Sequence, residues 1–251
     1  MQQFFGTIQV LVSGEIWNDV NFADKLYDID EGQCKGATFN TIHNLKSGLE
    51  VEEAGIEEAD DNTALLRLLP LAILINPSDQ KGLAIIKQVA EITHKSEEHF
   101  ANIISLIHLI QKKEQNLMLS ALRCTPDSRL KYMLSNSLDA NRHVSTSIKH
   151  HKQNAGSKIY ETLFFIYHVL HNNDSKKLKH LFADAIIHSG DTDIYCSIIG
   201  FILGYKYANK VEITSEWKKQ LKQPILKEHL ALYSEKLSRK LEAGSGILTL
   251  F

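Results

Sequence analysis

Cysteine is scarce in this 251-residue chain: Cys34, Cys124 and Cys196 lie far apart and show no paired spacing. That excludes a disulfide framework or a structural zinc site and points to a reducing compartment. Prolines are nearly as few, at positions 70, 77, 126 and 224, so long helices can run between them. No uncharged apolar run reaches about 18 residues, which excludes a membrane-spanning helix. Met1-Gln2-Gln3-Phe4-Phe5 has no basic region ahead of its apolar run and makes a poor signal peptide. The expected location is the cytoplasm, or another cell's cytosol after delivery. A charge excess is also missing: the formal net charge of −2 argues against a general nucleic-acid or membrane-surface binder. With 43% hydrophobic and 23% charged residues, the composition is that of an ordinary globular protein.

Helical periodicity is what the chain has in quantity. Residues 4–16, 19–29 and 36–45 carry apolar positions at helical spacing, with breaks at Glu31-Gly32 and Gly48. Residues 49–61 hold seven carboxylates and read as a solvated acidic loop. Thr63 to Ile75 is apolar nearly all round and predicts a central buried helix, kinked at Pro70. Ser78 and Ser96 are placed to cap the next two helices, and shorter helices are expected at 117–122 and 128–137. Residues 139–157 are polar. Their His150-His151 pair lacks a third ligand at helical spacing and reads as a surface connection. Helices follow from Ile159, up to Ile187, from Gly190 to about Asn209, around Trp217, and over 225–242. No convincing strand run stands out. The expectation is one compact all-α domain over residues 1–251.

One stretch stands apart, His188-Ser189-Gly190-Asp191-Thr192-Asp193. Two carboxylates sit after a glycine at a helix head, where Asp and Ser accept orphan amide hydrogens and suit the positive end of the dipole. This pattern describes an ordinary capped helix. It also describes two hard oxygen ligands suited to Mg²⁺ or to sugar hydroxyls. Ser197, Gly200 and Gly204 then leave a low stripe that another helix can approach.

Three segments, taken in order, resemble the ADP-ribosylglycohydrolase family. Ser189-Gly190-Asp191-Thr192-Asp193 is similar to its Gly-Gly-Asp-Thr-Asp-Thr. Asn62-Thr63-Ala64-Leu65-Leu66-Arg67-Leu68-Leu69-Pro70-Leu71 resembles its Asn-Gly-Ala-Leu-Met-Arg-Ile-Ala-Pro-Leu, and Ile92-Thr93-His94 matches its Thr-His. The resemblance spans residues 4–221. It implies an all-α bundle with a cleft for ADP-ribose, whose partner is a mono-ADP-ribosylated protein. Asp191 and Asp193 would serve as catalytic carboxylates and metal ligands. Asn62 and Thr63 would lie by the pyrophosphate and His94 on the ribose-phosphate side, with Ser189, Gly190 and Thr192 completing the ligand site.

The departures are as specific. Phe4-Phe5-Gly6-Thr7 stands where the family has Thr-Asp-Asp-Thr, and phenylalanine cannot ligate Mg²⁺. Ile194 replaces the last Thr of the C-terminal motif, and no counterpart of the family's upstream glutamate is expected. The family's dinuclear Mg²⁺ site reduces here to a single weakly held ion or to none. Glycosidic cleavage also needs a second group beside the Asp191 and Asp193 pair, for which Asp60, Asp61 and His94 are the candidates. Arg67 has two readings, a charge paired within the core or a phosphate contact; the first is favoured because a nearly all-apolar helix must pair its one charge. The expected activity is that of an atypical ADP-ribosyl hydrolase acting on a modified protein side chain. The alternative is a non-catalytic ADP-ribose-binding or interaction module of the same fold.

Overall fold

Apolar residues three and four positions apart can bury one face only by packing helix on helix, and that is the architecture found. The structure, a computed structural model, describes residues 2–13, 19–111, 117–138, 157–172, 178–187, 190–207, 213–220, 231–236 and 238–239. The N-terminal half contains α1 (Gln2–Ser13), α2 (Asp19–Tyr27), a 3₁₀ turn (Glu31–Gln33), α3 (Gly36–Lys46), α4 (Val51–Ala54), α5 (Leu65–Leu74), α6 (Gln80–Glu91) and α7 (Glu97–Gln111). There follow α8 (Leu117–Cys124), α9 (Ser128–Leu138), α10 (Ile159–Asn172), α11 (Leu178–Ile187), α12 (Thr192–Tyr207) and α13 (Ser215–Gln220). The all-α expectation holds. The C-terminal helix expected over 225–242 lies largely outside the described residues, although 231–236 is helical. The expected His150-His151 connection also falls outside them.

The centre is α5, packed against α1, α6, α7 and α12. Its Leu65, Leu68, Leu69 and Leu71 are fully buried, each burial worth on the order of 2 kcal/mol. Pro70 lies inside this helix and has no N–H to offer the Leu66 carbonyl. One hydrophobic cluster runs from Val10 of α1 to Leu203 of α12. Phe182 of α11 lies over Gly200, 3.4 Å from where a Cβ would stand, and stacks on Trp217 at 5.8 Å. The low stripe on α12 is therefore used at Gly200, whereas nothing lies within 4 Å of a Cβ at Gly204. No described helix is long and apolar enough to cross a membrane.

The structure corrects two local expectations and meets a third. The cap of α6 is Asp79, whose side chain accepts from the Lys81 amide at 3.0 Å; Ser78 instead donates its own amide to Asn76 Oδ1. Ser96 does open α7, accepting from the His99 amide. The acidic stretch is not a solvated loop throughout. It forms α4 and then a strand, β1 (Ile56–Glu57), which pairs in parallel with β2 (His94–Lys95). The Ile56 amide donates to the Thr93 carbonyl at 3.0 Å and the Glu58 amide to that of Lys95 at 3.1 Å. Two-residue strands are too short for alternation to show in sequence. Their register, Ile56 opposite His94, brings the acidic stretch beside the end of α6.

Candidate functional site

Asp61 lies just beyond that strand pair. Its Oδ1 accepts from the Thr63 amide (3.0 Å), the Thr63 hydroxyl (2.5 Å) and His94 Nε2 (2.9 Å). Its Oδ2 accepts from the Ala37 amide at 2.7 Å. Asp61 thereby caps α3, since the residue at the helix's own cap position, Lys35, makes no side-chain cap bond. Gly36 makes this approach possible. Its φ is +60°, and a Cβ there would stand 2.6 Å from Asp61 Oδ2.

Behind Asp61 lies Arg67, 0% exposed. Nη1 donates to Thr38 Oγ1 and Gln3 Oε1, both at 3.3 Å, and Nη2 donates to Thr93 Oγ1. Thr38 and Thr63 hydroxyls are 2.9 Å apart, and the Thr93 hydroxyl lies 2.6 Å from His94 Nδ1. Assigning each proton to satisfy the network gives two chains of donors from Arg67 to Asp61. One runs through Thr38 and Thr63, the other through Thr93 and His94. The core reading of Arg67 is the one the structure supports, with threonine and histidine relays in place of a direct salt bridge. Its guanidinium also lies 5.8 Å from the Phe22 ring centre.

Burial sets the charge states. Burial draws Arg67 down to about 9, with the Asp61 charge opposing the shift, so Arg67 stays protonated at neutral pH. For Asp61, burial opposes ionisation, but hydrogen bonds from His94, Thr63 and Ala37 outweigh it and hold the carboxyl well below the usual range. His94, 1% exposed, is lowered by burial despite its Asp61 bond. It stacks at 4.3 Å on His99, which burial pushes well below 6.5. Both imidazoles are therefore neutral at pH 7.

Asp191 sits at the head of α12 with its side chain 20% exposed. Lys35 Nζ donates to Oδ1, and Asn62 Nδ2 donates to Oδ2 at 3.0 Å. The same Asn62 amide reaches Thr162 Oγ1 of α10 at 3.0 Å, and the Asn62 backbone amide donates to the Ser157 carbonyl at 3.0 Å. Lys35, Gly36 and Ala37 thus join the two carboxylates: the Lys35 ammonium holds Asp191 and the Ala37 amide holds Asp61.

Among the residues expected from sequence, the structure brings Asn62, Thr63, His94 and Asp191 into one region. Asn62, Thr63 and His94 are all buried, and the His94 side chain bonds the partly exposed Asp61. Gly190 and Asp193 are exposed and Thr192 half-buried; Ser189 lies outside the described residues. Asp60 turns to Lys158 and to Arg129 (3.8 Å), whose guanidinium also lies 4.5 Å from the Tyr160 ring centre. Lys35, Thr38 and Thr162 also join this network. A lysine ahead of a glycine at a helix start, and threonines on buried faces, carry no motif.

The ADP-ribosylglycohydrolase family model matches residues 3–245, and the chain belongs to that family. An ADP-ribosylglycohydrolase-like function is the general class this membership supports. No curated protein matches the chain in sequence.

The residues present do not fit the Mg²⁺ pair that the resemblance implies. Asp191 already carries an ammonium on one oxygen and an amide donor on the other. Phe4 and Phe5 supply no oxygen and pack on Phe201 (5.9 Å) and Tyr233 (6.0 Å). Among the described residues, no three His, Cys, Asp or Glu side chains are grouped so as to hold a metal ion.

Proposed function

We propose that the chain recognises the ADP-ribose unit of a mono-ADP-ribosylated protein and releases it as an atypical hydrolase, using Asp191 without a divalent cation. The supporting observation is the setting of Asp191. It is partly open to solvent, both its oxygens are oriented by named donors, and it stands beside the buried polar network around Asp61. Release breaks the bond between the anomeric carbon and the side-chain atom, and a water oxygen replaces that atom. The carbon becomes positive on the way, and the Asp191 charge stabilises that state. The leaving group takes up a proton, and the attacking water loses one. Asp193, exposed on the first turn of α12, is the second carboxylate available for that exchange. Asp61 is less suited: four donors stabilise its anion, and a weakly basic carboxylate is a poor proton acceptor.

The test is release of free ADP-ribose from mono-ADP-ribosylated arginine and serine proteins, with Mg²⁺ and with EDTA. Equal release in both is expected, with Asp191→Ala lowering it on the order of 100-fold. Full turnover by Asp191→Ala would remove Asp191 from the mechanism. The saturation of Asp61 and the burial of His94 favour a second reading, an ADP-ribose-binding module of the same fold. No release together with calorimetric binding of ADP-ribose would select it, and neither release nor binding would refute both.

A further inference from the structure

Lys35 has an extended backbone immediately before α3, and its ammonium donates to Asp191 Oδ1. Residues 156 positions apart are thus joined at the one motif carboxylate that is only partly exposed. The other oxygen, Oδ2, is held by a nitrogen: Asn62 turns its amide N–H group to it at 3.0 Å. A divalent ion requires oxygen lone pairs and is repelled by N–H donors and by ammonium groups alike. Among the described residues, no three His, Cys, Asp or Glu side chains are grouped to hold an ion, and Ile194, one turn further along α12, is buried.

We infer that Lys35 is the resident cation of Asp191, its tethered ammonium taking the place of a divalent ion so that the carboxylate is charge-balanced without metal. Lysine suits this role because it is a compact point charge on a flexible stem. Its side chain is 54% exposed, so the pair adds little to folding stability; its effect is to occupy the carboxylate. An incoming ion would have to displace the ammonium and then lie beside a like charge. The inference concerns ions alone and does not depend on which organic ligand the site takes.

The experiment is Mn²⁺ binding to the full chain, followed by electron paramagnetic resonance, for the native chain, Lys35→Met, Lys35→Gln, Lys35→Arg and Lys35→Met/Asp191→Asn. Thermal melting checks that each is folded. Both neutral variants are expected to bind Mn²⁺ at least about tenfold more tightly than the native chain, because they expose an unpaired carboxylate. The gain should vanish in the double variant, and Lys35→Arg, which keeps the charge, should match the native chain. Equal Mn²⁺ affinity in the native chain and the neutral variants, including none in any, would overturn the inference. So would a gain that survives loss of the Asp191 carboxylate.

Discussion

Asp61 answers for four donors and, through two relays, for a guanidinium with no access to solvent. Removing it strands all of them together, and a buried cation left without its counter-charge is expensive. Asp61→Ala is expected to lower stability by about 3 kcal/mol in urea denaturation at pH 7. A loss below about 1 kcal/mol would mean that the donors find water and that the network is not a structural unit. At this scale the sequence was legible in part. Thr93-His94 and Asn62-Thr63 stand out as motif residues, but their contacts with Arg67, Asp61 and Asp191 depend on segments that meet only after folding. Asp61 stands out only as one candidate second group beside Asp60 and His94, because six other carboxylates surround it in residues 49–61 and nothing in composition separates a partly buried acid from solvated ones.

Helix α3 depends on a cap supplied from outside its own sequence, and the fit depends on Gly36. Gly36→Ala should cost about 2 kcal/mol, combining a left-handed φ with displacement of the Asp61 carboxylate. Gly48→Ala separates the two effects. Its φ is +91° but nothing lies within 4 Å of the added Cβ, so about 1 kcal/mol is expected. Equal losses in the two variants, measured by thermal melting, would show that backbone conformation alone is at work. The helices themselves could be read from apolar spacing, because burying one face imposes a period of 3.6 residues wherever a helix packs. The β1–β2 pair could not. Two residues per strand leave no period, and the carboxylates of the acidic stretch suggest solvent while its backbone pairs with β2.

For the molecule as a whole, buried histidines make stability depend on pH. The folded-state pKa values of His94 and His99 are lowered from 6.5, so the unfolded chain binds more protons below that pH. Their contribution is complete above about pH 6.5 and is lost as the pH falls below it. The Asp61 carboxyl is also depressed, so its contribution is present above its ordinary 3.8 and is lost at still lower pH. Urea midpoints measured from pH 8 to pH 3 should therefore decline in two stages, the first beginning near neutrality. A His94→Gln/His99→Phe variant should lose the first stage. A midpoint that stays flat between pH 7 and pH 5 in the native chain would count against neutral, buried imidazoles.

The two parts of the site lie at different depths in the chain. Every hydrogen bond from Arg67 to Asp61 through Thr38, Thr63, Thr93 and His94 joins residues no more than 33 positions apart. Asp191 reaches Asn62 and Lys35 across 129 and 156 positions. A ribosome delivers the chain from its N-terminus, so the threonine and histidine relays can close while α10 to α12 are still unmade. Lys35 and Asn62 then wait with their donors in water until the carboxylate emerges. Completion of the site thus reports the arrival of the C-terminal helices, and a nascent chain halted before residue 191 would carry the scaffold of the site without its partly exposed acid.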